Sequence, residues 1–119
     1  MKTEQLAQKR CVPCEGGVAA LTRDAIRKYL KATPKWKLTA DRKRIRREWR
    51  VKDFVTALNF FERVGRIAED EDHHPDLHLT GYRNVVLEIG THAIDGLSEN
   101  DFILAAKIDG LPLELKRKQ

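Results

Sequence analysis

Two adjacent histidines close a run of acids, Glu69-Asp70-Glu71-Asp72-His73-His74-Pro75, and a third follows in Gly90-Thr91-His92. The whole chain has only four histidines in 119 residues. Imidazole, with an ordinary pKa of about 6.5, is the side chain best suited to giving and taking protons near neutral pH. Carboxylates nearby favour its charged form. Three imidazoles with Glu69 and Asp101 close by suit bifunctional proton transfer, one group donating while another accepts. The same residue types also suit a zinc site, with carboxylates orienting the imidazoles from behind. The residue types leave both chemistries open, along with surface histidines that make only local hydrogen bonds.

Periodicity reveals the elements that must hold these side chains. Thr22 is a helix N-cap ahead of Ala25, Ile26, Tyr29 and Leu30, and Thr33-Pro34 stops that helix. Residues 36–38 and 45–51 read as strands joined by turn chemistry at Thr39-Ala40-Asp41. Ile45, Arg47, Trp49 and Val51 share one face of the second. Asp53 caps a long helix running to about residue 70, with Phe54, Ala57, Leu58, Phe61, Val64, Ile67 and Ala68 on its apolar stripe. Aromatics on such a stripe are expected in the core, so Phe54 and Phe61 are assigned no chemistry.

The end of that helix is anomalous. Its four acids sit where the helix dipole is already negative. Local rules are often broken at functional sites; a frayed, solvated end is the plainer alternative. After Pro75, Leu77-His78-Leu79 reads as a short strand, with His78 an ordinary strand residue. Val85, Leu87, Ile89 and Thr91 alternate on one face of the next strand. His92 falls on the other face if that strand continues so far. Asp95-Gly96 is a turn. Ser98-Glu99-Asn100-Asp101 is a capping box before Phe102, Ala105, Ala106 and Ile108, and Gly110 and Pro112 close that helix. The order is α-β-β-α-β-β-α. It predicts an α+β fold: a four-stranded antiparallel sheet with helices packed on one face.

Composition narrows the class. Hydrophobic residues at 41% and charged residues at 34% describe a folded chain of one domain. Residues 1–20 are expected to be an N-terminal tail, residues 21–113 the domain and residues 114–119 a basic C-terminal tail. No apolar run reaches the roughly 18 residues of a membrane span, and the N-terminus lacks a secretory signal, so a cytoplasmic location is expected. Residues 1–50 hold 15 Lys/Arg against 5 Asp/Glu, while residues 51–119 hold 8 against 13. No base-stacking motif accompanies the arginines, so nucleic acid is not the expected partner; the asymmetry suits self-association. Cys11-Val12-Pro13-Cys14 is a lone C-x-x-C, without the second ligand pair of a zinc ribbon or the strand and helix of a thioredoxin motif. Reduced thiols are expected, with a redox or metal-linked tail as the alternative.

Glu69-x-x-x-His73-His74-Pro75, then Gly90-Thr91-His92-x-x-x-Gly96-Leu97-Ser98-x-x-Asp101, resembles pterin-4a-carbinolamine dehydratases. Trp36-x-Leu38, Lys52-Asp53-Phe54 and Ala68-Glu69 fit the same pattern, and the similarity runs from about residue 21 to residue 109. The resemblance implies an α+β fold, a homodimer or homotetramer built through sheet edges, and no metal or cofactor. It implies dehydration of a 4a-hydroxytetrahydropterin to quinonoid dihydropterin, in recycling downstream of an aromatic amino-acid hydroxylase. It maps His73, His74 and His92 onto the family's active-site histidines. Glu69 and Asp101 become supporting carboxylates, and Trp36 a tryptophan beside the pterin. Capping is the alternative for Asp101, and packing in the hairpin the alternative for Trp36. Some family members also serve as dimerisation cofactors of a transcription factor, which makes an interaction module the alternative function. The sequence departs from the animal form at Leu77 and Ile94 and has one more residue between Asp76 and Thr91. These differences touch the pocket wall and not the histidines.

Overall fold

A computed structural model describes residues 1–13 and 19–117. Its described elements are α1 (Thr3–Ala7), α2 (Arg23–Ala32), β1 (Lys37–Leu38), β2 (Ile45–Arg50), α3 (Phe54–Glu71), β3 (Asp76–Thr80), β4 (Asn84–Ile89), a 3-10 turn (His92–Ile94) and α4 (Glu99–Asp109). The strands form one antiparallel sheet in the order β1-β2-β4-β3. The α+β architecture is as expected.

Capping chemistry sets the helix starts. The Thr22 hydroxyl accepts from the Ala25 N–H at 3.2 Å, and the Asp53 carboxylate accepts from the Thr56 N–H at 2.9 Å. The Ser98–Asp101 capping box is closed on both sides. Strand alternation also holds: Ile45, Trp49 and Val51 are buried, as are Val85, Leu87, Ile89 and Thr91. These faces meet α3 and α4 around Trp49, Phe60, Phe102 and Leu104. Trp49 stands edge-on to both Trp36 and Phe60, at centroid separations of 5.9 and 5.2 Å.

The stripe on α3 is rotated from its expected position. Ala57, Phe60, Val64, Ala68 and Glu71 are the buried positions. Phe54 and Leu58 are 48% and 46% exposed, and Phe61 is only partly buried. The helix is apolar over a wider arc than the sheet covers, so hydropathy alone could not locate the centre of the buried face.

Described residues near both ends are fastened to the domain. In the N-terminal segment, α1 is too short to be stable alone. It is held by Leu6, which is fully buried, by Lys107 Nζ donating to the Ala7 carbonyl at 2.7 Å, and by the Thr3 hydroxyl donating to the Ala32 carbonyl. One leucine in a polar stretch leaves no periodic signal. At the other end, residues 114–116 lie along the end of β2: Lys52 N–H donates to Glu114 O, and Lys116 N–H to Arg50 O.

Candidate active site

The long helix ends in a way that fixes the histidine pair. Asp72 takes a left-handed conformation with φ of 50°. The Asp72 N–H donates to the Glu69 carbonyl at 3.3 Å and the His73 N–H to the Ala68 carbonyl at 3.1 Å. These are the two bonds of a Schellman motif, with aspartate where glycine is usual. The peptide of His73 is therefore fastened to the last turn of α3, and Pro75 leads away into β3.

Each acid of the anomalous run has a role. Glu69 Oε2 lies 2.8 Å from His74 Nε2. Asp70 and Glu71 face Arg10 at 3.5 and 3.6 Å. Glu71, whose side chain is 2% exposed, accepts from the Cys11 N–H at 2.7 Å. Asp72 forms the cap. The end is neither frayed nor uniformly solvated.

Asp101 holds His73 from behind. Its Oδ1 lies 2.6 Å from His73 Nε2, while its Oδ2 accepts from the Ser98 N–H at 2.8 Å and the Thr91 hydroxyl at 2.9 Å. The carboxylate is fully buried. The carboxylate thus closes the capping box through Oδ2 and meets His73 through Oδ1. With an ionised carboxylate, which only accepts, and a neutral ring, Nε2 carries the hydrogen and Nδ1 keeps the lone pair. The His73 side chain is 11% exposed. The His74–Glu69 pair is open to solvent at 55% and 79%, so the contact orients more than it stabilises.

His92 does not continue β4. The strand stops at Ile89; Thr91 pairs with Gly96, and His92 opens a 3-10 turn that ends on Asp95 at φ of 48°. The turn brings His92 to the mouth of a cavity of about 490 Å³ that His73, His74 and Thr91 also line. That volume is in the range of small-molecule sites. Gly90 lies on the same wall, where a Cβ would come 2.8 Å from the Lys43 carbonyl, so glycine is required for this close approach.

Trp36 is not in this cavity. It is 3% exposed, and its indole N–H donates to Asp109 Oδ1 at 2.9 Å. Asp109 closes α4 whereas Asp101 lies in its first turn, which separates them by about 12 Å of helix. Arg47 reaches the same carboxylate and covers Trp49 at 4.5 Å. Trp36 is packed against Trp49 and tied to the end of α4. His78 is an exposed strand residue 3.5 Å from Glu88. Among the described residues, no three His, Cys, Asp or Glu side chains are arranged to hold a metal ion.

Sequence reading missed four contributors. Glu71, Thr91 and Asn100 are buried around the site, and residues 10–13 supply one of its walls. Burial raises the Cys11 thiol pKa to about 12, with the Glu71 carboxylate adding to the effect. Cys14, the other half of the C-x-x-C, lies outside the described residues.

Residues 19–111 match the family model described as pterin 4 alpha carbinolamine dehydratase. The chain belongs to the pterin-4-alpha-carbinolamine dehydratase family. The Arabidopsis thaliana protein named pterin-4-alpha-carbinolamine dehydratase 2, mitochondrial, is 51% identical across 96% of this chain and 63% of that one. A Halorhodospira halophila protein named for the same family is 49% identical across 89% of this chain and 96% of its own. This chain thus spans less than two thirds of the plant relative and nearly all of the bacterial one. The transcriptional coactivator/pterin dehydratase from Brucella melitensis, a solved structure, superposes with a TM-score of 0.71 at 32% identity, over 76% of this chain and 95% of that one. Dehydratase chemistry, a hydro-lyase reaction, is the activity for which the family is named. No described helix is long and apolar enough to cross a membrane.

Proposed function

We propose that the chain dehydrates a 4a-hydroxytetrahydropterin to quinonoid dihydropterin and water, by histidine acid–base catalysis and in pterin recycling. The C4a–O bond and the N5–H bond break, and a C4a–N5 double bond forms. A proton must reach the departing hydroxyl as another leaves the ring nitrogen. The observation that carries the reading is the pairing of two imidazoles with different carboxylates beside one cavity. His73 is backed by buried Asp101 and His74 by exposed Glu69, with His92 at the same mouth. Imidazoles in unlike surroundings suit opposite proton-transfer roles. His73 and His92 are assigned to the elimination itself, and His74 shares the acid–base work.

Stopped-flow absorbance of freshly generated 4a-hydroxytetrahydropterin, with metal-stripped protein, tests this. Acceleration over the spontaneous decay is expected, and no acceleration by folded protein would overturn it. An interaction module is a second reading, supported by exposed Phe54, Val55 and Leu58 on the first turns of α3. Those side chains lie about 20 Å along the helix from its histidine end, so the two readings are compatible.

A further inference from the structure

The matched family region begins at residue 19, yet Arg10, Cys11, Val12 and Pro13 line the histidine cavity. This segment is fastened at several points. The Val12 N–H donates to Asn100 Oδ1 at 2.9 Å, and Asn100 Nδ2 donates to the Val12 carbonyl at 2.5 Å. One buried amide thus satisfies both main-chain groups of Val12, as a neighbouring strand would. Beside it, buried Glu71 accepts from the Cys11 N–H, and the Cys11 thiol donates to the Asn100 carbonyl at 3.6 Å. Upstream, Lys9 pairs with Glu99 at 2.9 Å and Leu6 is fully buried.

The product of this fastening is an exposed valine. Val12 is 66% exposed, although its backbone is held on both sides. A free apolar side chain on a fixed backbone, followed by proline, is a preorganised surface with little freedom left to lose on binding. It stands at the mouth of a cavity whose other side chains are mainly histidines and acids. Those polar groups suit the edges and reacting atoms of a planar heterocycle, and Val12 and Pro13 add apolar surface that suits its face.

We infer that residues 10–13 form a wall of the substrate site, on which Val12 and Pro13 pack against the face of the bound pterin, with Glu71 and Asn100 holding the wall in place. The inference rests on the dehydratase reading for the identity of the ligand. The Val12 side chain has no ionisable proton to give or take, so it serves binding and not the chemical step.

The test compares wild type, Val12→Ser and Val12→Ile in the full chain. Two readouts are taken: turnover of 4a-hydroxytetrahydropterin, and direct binding of 7,8-dihydrobiopterin by fluorescence. Substituting an exposed side chain should leave the urea unfolding midpoint close to that of wild type. Val12→Ser should raise both KM and the dihydrobiopterin Kd about 5- to 10-fold, with kcat within about twofold, the scale of losing apolar contact in a pocket. Val12→Ile keeps an apolar side chain on the wall and should show neither rise. If wild type turns over and Val12→Ser keeps its KM and Kd, the wall is refuted and the dehydratase reading stands. If wild type binds dihydrobiopterin without turnover and Val12→Ser weakens that binding, the wall stands and the dehydratase reading fails. Absence of both turnover and binding in wild type refutes both.

Discussion

Replacing Asp101 by asparagine separates its two functions, because the carboxylate divides them between its oxygens. Oδ2 accepts from the Ser98 N–H and the Thr91 hydroxyl, and Oδ1 faces His73 Nε2. An asparagine can keep its carbonyl on Ser98 and Thr91, which then turns its NH2 toward His73. Donation from that NH2 to Nε2 forces the hydrogen onto Nδ1, so the lone pair that His73 offered is lost. The cap survives, and the stability cost is that of exchanging charge-assisted hydrogen bonds for neutral ones, about 1–2 kcal/mol. Asp101→Ala opens the capping box and leaves the Ser98 N–H without its acceptor, about 1–3 kcal/mol, while the Thr91 hydroxyl keeps the Ser98 hydroxyl at 2.8 Å. Urea unfolding should therefore rank the variants wild type, Asn, Ala. Turnover should fall far more than stability: about 10²–10⁴-fold in kcat for Asp101→Asn, the scale for a catalytic histidine in the wrong tautomer. A folded Asp101→Asn with near-normal kcat would reduce Asp101 to a helix cap and refute the argument.

The other sites give smaller and more varied effects. Trp36→Phe should cost about 1 kcal/mol in urea unfolding through loss of the Asp109 hydrogen bond, with the pterin KM unchanged; a raised KM in the folded variant would return Trp36 to the site. Asp72→Gly should stabilise by about 0.5–1 kcal/mol, since glycine suits the left-handed cap and removes a charge from the negative helix end; a lowered urea midpoint would contradict this. In a Cys14→Ser background, Cys11 should alkylate at pH 8 at least ~100-fold more slowly folded than unfolded, because a pKa raised from 9.0 to about 12 leaves little thiolate. The unfolded thiol ionises first, so this group's contribution to stability is intact below about pH 9 and is lost as the pH rises toward 12.

What the sequence disclosed, and what it withheld, follows from how far each signal reaches along the chain. Caps and strand faces were legible because their causes lie within a few residues: Asp53 with Thr56, Ser98 with Asp101, and the alternation through Ile89. The histidines and their carboxylates were legible by type, but pairing was not. The Asp101–His73 contact joins the start of α4 to the end of α3, which no local pattern encodes. Trp36 shows the same limit, since an indole beside a hairpin reads alike whether its N–H meets a ligand or Asp109. Glu71 was within reach and was missed. It falls three residues after Ala68 and continues the buried phase of Ala57, Phe60, Val64 and Ala68, whereas Glu69 and Asp70 do not. An acid in phase with a buried stripe needs a donor from elsewhere in the chain, because leaving it unpaired is costly. The donor here is the Cys11 backbone. Helical phase thus predicts that some distant segment must dock on Glu71, and that segment is the one lining the histidine cavity.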